Sequence, residues 1–395
     1  MLLSRLLPRA ERCLVLAGGL ASLIGCGGSS EAPGAEDGSA KTGTEATPAP
    51  SGEVDRRAAR LRGDLAAWTE VRRRIESAGA SSTTLEALGE LLAASAPTDK
   101  WLELEGWALT RPFVEAYLAW NEPLGGEPAY RSLDFTDPEH AYHHVTRYAR
   151  TLEENGVDFL LVVVPTRLHI YPDRMPGREG SDPFPGEGPG DVSFLRALVE
   201  AGVEVLDLWT PFCEARHGNA PEQDQLLHHD YDVHWTPRGV GLAADLIAER
   251  IRQYPWFEQG DHFPGEGMTL VRERKLWSYE GSTYPGYEPV EVVFDRVLGV
   301  DGEAARVKDR ESPILVMGDS FVQYARREGA SLLHLLLARL GHRLDVILAK
   351  GGRGIEWVTL DRRRDNLAGK RLVVWTVSAS LFADHGLKDV PLFRD

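Results

Sequence analysis

Two short segments carry the side-chain types that nucleophilic catalysis needs. The first is Ile314-Leu-Val-Met-Gly-Asp-Ser320-Phe321, in which an apolar run ends at Gly318 and Ser320 follows two residues later. A strand-to-helix turn at that point presents the hydroxyl at the carboxyl edge of a sheet. The amides that open the next helix then point at any oxyanion forming there. The second segment is Tyr231-Asp232-Val233-His234-Trp235-Thr236-Pro237-Arg238-Gly239. A serine hydroxyl is a poor nucleophile until a base takes its proton, and histidine is the usual base near neutrality. A carboxylate fixes the tautomer of that imidazole and stabilises its cation. Residues two apart in extended backbone share a face, so Asp232 and His234 are predicted to meet side by side. Thr236-Pro237 then supplies a cap and a first-turn proline for a helix. Each segment also has a plainer reading when taken alone. Gly-Asp-Ser makes simple turns, and an Asp-x-His pair also serves as an ion pair at a helix entry.

Several other residues invite a chemical reading. His228, His229 and Asp230 precede the Asp-x-His pair, but their spacing matches no zinc motif, and no metal site is predicted. His140, His143 and His144 fall on one face of a predicted helix and are expected to be core or solvated histidines. Trp235 and Trp357 either stack on sugar rings or fill the core. Asp319 either tunes its neighbour Ser320 or forms the turn. The three cysteines, Cys13, Cys26 and Cys213, suggest neither a disulfide framework nor a CxxC pair, and Cys213 reads as a lone inert thiol.

The elements that must position these groups follow from apolar spacing. Val54, Ala58, Leu61, Leu65, Trp68, Val71 and Ile75 recur every three or four residues, which predicts an amphipathic helix. Leu85, Leu88, Leu91 and Leu92 predict a second, closed by Pro97. This pair reads as packing against the catalytic part, with a partner-binding hairpin as the alternative. From about residue 101 strands and helices alternate. Continuous apolar runs at Asp158–Val164, Val203–Leu208, Ile314–Met317, Leu344–Leu348 and Leu372–Val377 have the character of parallel strands buried on both faces. Helical patterns lie at His140–Asn155, Gly239–Gln253 and Ser331–Leu340. The alternation predicts a three-layer α/β/α sandwich with a mostly parallel sheet and active residues at the carboxyl ends of its strands. Residues 256–312 interrupt it as an insertion of irregular or β structure.

The chain begins with Arg5, Arg9 and Arg12 followed by an apolar stretch to Ile24, the order of a secretory signal. Residues 27–53 are rich in Gly, Ser, Ala, Pro, Thr and Glu and read as a flexible tether. The expected organisation is a signal at 1–25, a tether at 26–53, a helical region at 54–100 and the α/β domain at 101–395. No internal run reaches the length of a spanning helix. A formal charge of −16 argues against a nucleic-acid partner.

Taken together, the GDSF segment after a strand and the DxHWTPxG segment opening a helix resemble the alginate O-acetyltransferase branch of the SGNH superfamily. There the Asp and His precede the Ser, as here. Gly156 to Pro165, running on to His169-Ile-Tyr-Pro172, resembles that family's first strand and following loop. Gly351-Gly352, Trp357 and Leu372-Val-Val-Trp375 resemble its C-terminal part. The resemblance covers about residues 130–385 and implies an SGNH, flavodoxin-like fold. It implies Ser320 as nucleophile, His234 as base and Asp232 as its orienter. The Ser320 amide is then one oxyanion donor, and Gly351 or Gly352 is a candidate for another. Arg167 stands where the pattern has a lysine, and no asparagine matches the oxyanion Asn of ordinary SGNH esterases. The activity implied is transfer of an acetyl group, through acetyl-serine, to an extracytoplasmic polysaccharide. No cofactor is implied, and a membrane partner is one source of the acetyl group. An esterase with the same triad and a non-catalytic polysaccharide-binding scaffold are the alternatives. Separately, Leu23-Ile24-Gly25-Cys26 resembles a bacterial lipobox. That implies lipidation of Cys26 and an anchor at the cell envelope, on the periplasmic face of an outer membrane.

Overall fold

The computed structural model describes residues 51–77, 82–104, 107–122, 130–174, 188–216, 226–258, 267–277, 289–349, 354–383, 387, 390 and 392–393. Cys26, the signal-like start, most of the tether and the Gly351-Gly352 pair lie outside them.

The strands are β1 (Trp101–Leu104), β2 (Trp107–Thr110), β3 (Asp158–Val164), β4 (Glu204–Leu206), β5 (Thr269–Trp277), β6 (Val290–Leu298), β7 (Ile314–Gly318), β8 (Asp345–Leu348) and β9 (Leu372–Ser378). The five apolar runs become one sheet in the order β4-β3-β9-β7-β8, and every pairing in it is parallel. Such strands are covered on both faces, which is why they read as continuous apolar runs. Alternation sorts them all the same. Leu160, Val162 and Val164 of β3, with Val316 and Val374, enter the core shared with helices Pro237–Arg252 and Leu332–Leu340. Leu161 and Val163, with Met317, Val373 and Trp375, enter the opposite core. Helices Ala141–Glu154, Pro189–Glu200 and Ile355–Arg363 cover that side. This is the three-layer sandwich expected.

The N-terminal helix runs Ser51–Ser77, so it begins inside the stretch read as tether. Its Trp68, Val71 and Ile75 are buried in the second core, and the Trp68 indole donates to the Val205 carbonyl at 3.0 Å. The next helix, Ser82–Ala94, packs elsewhere: Leu88 joins Leu102, Leu109, Val114 and Tyr117 in a separate small cluster. The two helices therefore pack into different parts of the domain.

Two further differences concern the domain itself. The region from 101 does not open on the main sheet. β1 and β2 form an antiparallel hairpin of their own, followed by helix Arg111–Trp120. β4 stops at Leu206, because Trp209–Ala215 coils into a helix that buries Trp209 and Phe212. The insertion at 256–312 holds β structure, the antiparallel β5–β6 hairpin, whose Phe294 and Val297 are buried in the first core. Among the described residues no helix is long and apolar enough to cross a membrane.

Candidate active site

β3, β9 and β7 stand at the centre of the sheet, so their carboxyl ends open on one place. The strand order changes direction there, the usual position of a site in an open parallel sheet. β7 ends at Gly318. A Cβ on this residue would lie 2.4 Å from the Thr376 carbonyl oxygen of β9 and 2.4 Å from Val322, so only glycine fits. Asp319 then caps the short helix Ser320–Gln323, its carboxylate accepting the Phe321 amide at 2.9 Å. Asp319 thus forms the turn. Ser320 is the first residue of the helix and is half-buried.

The Asp-x-His segment reaches the same place from a tight loop. The loop is closed by the Thr236 amide on the Leu227 carbonyl at 2.9 Å and the His229 amide on the His234 carbonyl at 3.1 Å. Asp232 and His234 meet as expected, but through a turn rather than strand alternation. One carboxylate oxygen accepts the His234 backbone amide at 3.0 Å and bonds Nδ1 of its ring at 2.6 Å. That bond places the proton on Nδ1 and leaves Nε2 as the basic nitrogen. Both residues are buried. Burial alone raises the Asp232 carboxyl, but the His234 hydrogen bond and the charges of His234 and His229 outweigh it and hold the group below the usual carboxylate range. Thr236 caps the following helix through the Gly239 amide, and Pro237 opens it. A Cβ on Gly239 would meet the Leu227 carbonyl oxygen at 2.4 Å, which accounts for the glycine after Thr-Pro-Arg.

The loop lies against the Ser320 helix. The His234 ring is 5.1 Å from that of Phe321 and 5.7 Å from that of Tyr324. A cleft of about 700 Å³ opens over these elements. Ser320 and Val233 line it together, with Ser378 at the end of β9, Ser380 just beyond it, and Pro112 and Phe113 from the helix after the β1–β2 hairpin.

A family model described as "SGNH hydrolase-like domain, acetyltransferase AlgX" matches residues 127–375. The chain belongs to this family. Among curated relatives, the probable alginate O-acetylase AlgJ of Azotobacter vinelandii is 23% identical over 226 residues, 52% of each chain. The alginate biosynthesis protein AlgX of Pseudomonas aeruginosa is 24% identical over 131 residues, 32% of this chain and 25% of that one. The chain thus spans about half the length, or less, of the curated relatives it matches. Among solved structures, the O-acetyltransferase domain of Pseudomonas putida AlgJ aligns with a TM-score of 0.47 at 17% identity, covering 73% of this chain and 91% of that one.

Within this family member the remaining sequence candidates take structural places. Trp235 is fully buried, its indole donating to the Phe321 carbonyl at 3.1 Å, so its face is closed to a sugar. It joins the Asp232–His234 loop to the Ser320 helix instead. Trp357 is also buried, stacked on Tyr148 at 4.1 Å. His140 caps the helix it was expected to lie in, accepting the Tyr142 amide. His143 bonds the Phe135 carbonyl at 2.9 Å. His229 shares a 2.6 Å hydrogen bond with the Tyr324 hydroxyl. Burial lowers His229 to about 4 and His228 to about 3, so both are neutral. Cys213 is a buried free thiol, pushed up by burial to about 12.

Three residues matter more than their sequence context suggested. Arg167, just beyond β3, is buried and donates to the carbonyls of His229 at 3.0 Å and Asp230 at 2.8 Å. Burial lowers its pKa to about 10, with the charges of Asp232 and Asp230 pulling the other way. It remains a cation that holds the Asp232–His234 loop against the sheet. Tyr324 lies between His229 and His234, and its spacing of four from Ser320 was the available signal. Glu356 carried no signal at all. It is fully buried in the first turn of helix Ile355–Arg363. Burial, reinforced by the charge of Asp319, pushes it up to about 7.

Glu356 yields a pH prediction. Its folded pKa lies above its unfolded one, so the folded state binds the extra proton between about pH 4.3 and about pH 7. The protein therefore gains stability from this group as pH falls through that window and loses it as pH rises. Glu356→Gln is expected to be more stable than the parent at about pH 8, by on the order of 3 kcal/mol, and to converge with it near pH 4.5. Urea unfolding of both proteins across that range checks it. A constant difference at all pH values would refute it.

Proposed function

We propose that this chain is an O-acetyltransferase that carries an acetyl group on Ser320 to a polysaccharide hydroxyl. The observation that carries the reading is the arrangement of the pair Asp232–His234, buried and hydrogen-bonded at 2.6 Å, whose loop lines the same cleft as the half-buried Ser320. Family membership and the names of the relatives support acetyl transfer and a uronate polymer as acceptor.

In the first half-reaction, Nε2 of His234 takes the Ser320 proton as Oγ attacks the donor's acetyl carbonyl. The Ser320 amide donates to the oxyanion. The imidazolium then returns the proton to the departing oxygen, leaving acetyl-Ser320. In the second, Nε2 takes the proton of a sugar hydroxyl, which attacks the acetyl carbon. Ser320 leaves and recovers the proton. Asp232 stays ionised throughout, fixing the tautomer and stabilising the imidazolium. Gly351 and Gly352 remain the candidates for the second oxyanion donor. The signal-like start and Cys26 support an exported, lipid-anchored position, and a membrane partner is one source of the acetyl group.

The test is turnover of a chromogenic acetyl ester, with intact-mass analysis and an oligosaccharide acceptor present. The expected result is an adduct of one acetyl on the protein and acetylated oligosaccharide, both lost in Ser320→Ala. Release of free acetate with no acetylated sugar would make the protein an esterase. No adduct and no turnover would leave a polysaccharide-binding scaffold.

A further inference from the structure

A second, smaller cleft lies on the far side of β8 and shares no lining residue with the first. Its volume is about 470 Å³, within the ordinary range for a small-ligand site. The stretch 304–308 forms one wall, running extended between the end of β6 and the start of β8. It bridges Leu298 at Ala304 and Leu344 at Lys308. Alternation buries Ala305 and Val307 and leaves Arg306 and Lys308 exposed on one side. The opposite wall is Arg326. Ala325, in the left-handed region at φ 56°, turns the chain out of the Ser320 segment and into Arg326–Glu328. His334, held by Ser331 at 2.8 Å, also lines the cleft, and Val346 and Leu348 of β8 give it an apolar side.

The charge balance of this cleft departs from that of the protein. The chain has 60 acidic and 44 basic residues. The cleft lining has Arg306, Lys308 and Arg326 and no acidic residue. Elsewhere, cations of the same region are neutralised: Arg272 by Asp295, Lys275 by Glu328 and Arg296 by Glu273. Among the described residues, Arg306, Lys308 and Arg326 have no ion-pair partner. Three converging cations without a counter-charge repel one another and favour an anion between them. An apolar wall beside them suits the C–H face of a sugar ring.

We infer that this cleft binds a uronic-acid residue of the acceptor polymer, the carboxylate meeting Arg306, Lys308 and Arg326 and the ring lying on Val346 and Leu348. The inference rests on the polysaccharide-acceptor reading above and gives it a second contact. Leu348, the last residue of β8, pairs in register with Gly318, two residues before Ser320. Neighbouring strands are about 4.8 Å apart, so the cleft begins one strand over from the nucleophile. A polymer held there is kept beside Ser320 without occupying the catalytic cleft.

The experiment is calorimetric titration of the full chain with a uronic-acid octasaccharide, a neutral octasaccharide and inorganic phosphate. Arg306→Gln/Lys308→Gln is run beside the parent, and ester turnover is measured in parallel. The expected result is binding of the uronate alone, weakened about tenfold or more in the double variant and by added salt, with ester turnover unchanged. Uronate affinity equal in parent and variant would overturn the site, and so would phosphate binding as tightly as the octasaccharide. Charge-dependent uronate binding in a protein with no ester turnover would leave this site standing while the transferase reading fails.

Discussion

Asp232→Asn is expected to slow acetyl turnover by about four orders of magnitude while the protein stays folded. The reason lies in one oxygen. Asp232 accepts the His234 amide at 3.0 Å and the ring at 2.6 Å through the same atom. An asparagine oxygen can keep the backbone bond, so the turn survives. In that orientation the Nδ1–H bond is kept as well; turned over, the amide gives up the backbone bond and offers an N–H to Nδ1, which moves the ring proton to Nε2, and a protonated Nε2 cannot take a proton from Ser320. The imidazolium also loses its counter-charge. Rate constants for both half-reactions, with thermal unfolding as the control for folding, check this. A variant within tenfold of the parent would remove Asp232 from the role. The carboxylate also leaves a pH signature. Its folded pKa is depressed, so its contribution to stability is present above about pH 4 and lost as pH falls below that.

Burial explains which parts of this protein were legible in its sequence. Strands covered on both faces must be apolar throughout, and β3, β7, β8 and β9 fall within a residue or two of the apolar runs that announced them. The turn at Ser320 and the helix entry after His234 were legible because a strand-to-helix turn and a capped helix start each impose local rules, and those rules hold in the Gly318 contact and the Thr236 cap. The β1–β2 hairpin was missed because four-residue strands are too short to display a period. Trp235 stood open to two readings because burial of an aromatic depends on its neighbours. Here Phe321, 86 residues on, supplies the acceptor that closes it in.

What stayed illegible is what long-range packing creates. Helix Arg111–Trp120 reads as an ordinary amphipathic segment, yet it walls the cleft over Ser320. Nothing in Gly-Ile-Glu-Trp predicts that Glu356 has no exposure. The cations at 306, 308 and 326 are unremarkable until the fold draws them together and leaves acidic groups outside. Convergence of this kind depends on the order in which the strands are laid down in the sheet, which periodicity does not encode.

The N-terminal helix gives the second large effect, on stability. Arg60 is buried and donates to both carboxylate oxygens of Glu204 at 2.9 and 3.1 Å, its guanidinium lying 4.2 Å over the Tyr254 ring. Glu204 opens β4 and also accepts the Tyr254 hydroxyl at 3.0 Å. One turn along the helix, Asp64 pairs with Arg250 and accepts the Val205 amide at 3.3 Å. These ion pairs fasten residues 51–77 to the amino edge of the sheet, the edge opposite Ser320. Removing one partner of such a pair leaves a charge buried and under-solvated, so Arg60→Ala is expected to cost about 3–5 kcal/mol. Removing the charge of both partners does not leave that defect. Arg60→Met/Glu204→Gln keeps an acceptor for the Tyr254 hydroxyl and fills the space of the arginine stem. It should recover much of the loss, with a coupling energy of about 2 kcal/mol. Denaturant unfolding of the parent, Arg60→Met, Glu204→Gln and the double variant measures that coupling, with Arg60→Ala run beside them. Ester turnover per folded molecule should be the same in all of them, because the clamp touches the sheet at the end far from the cleft. A loss under about 1 kcal/mol in Arg60→Ala would mean that Trp68, Val71 and Ile75 anchor the helix on their own. A fall in turnover per folded molecule would instead mean that the clamp sets the geometry of the strand ends where Ser320 and Ser378 stand.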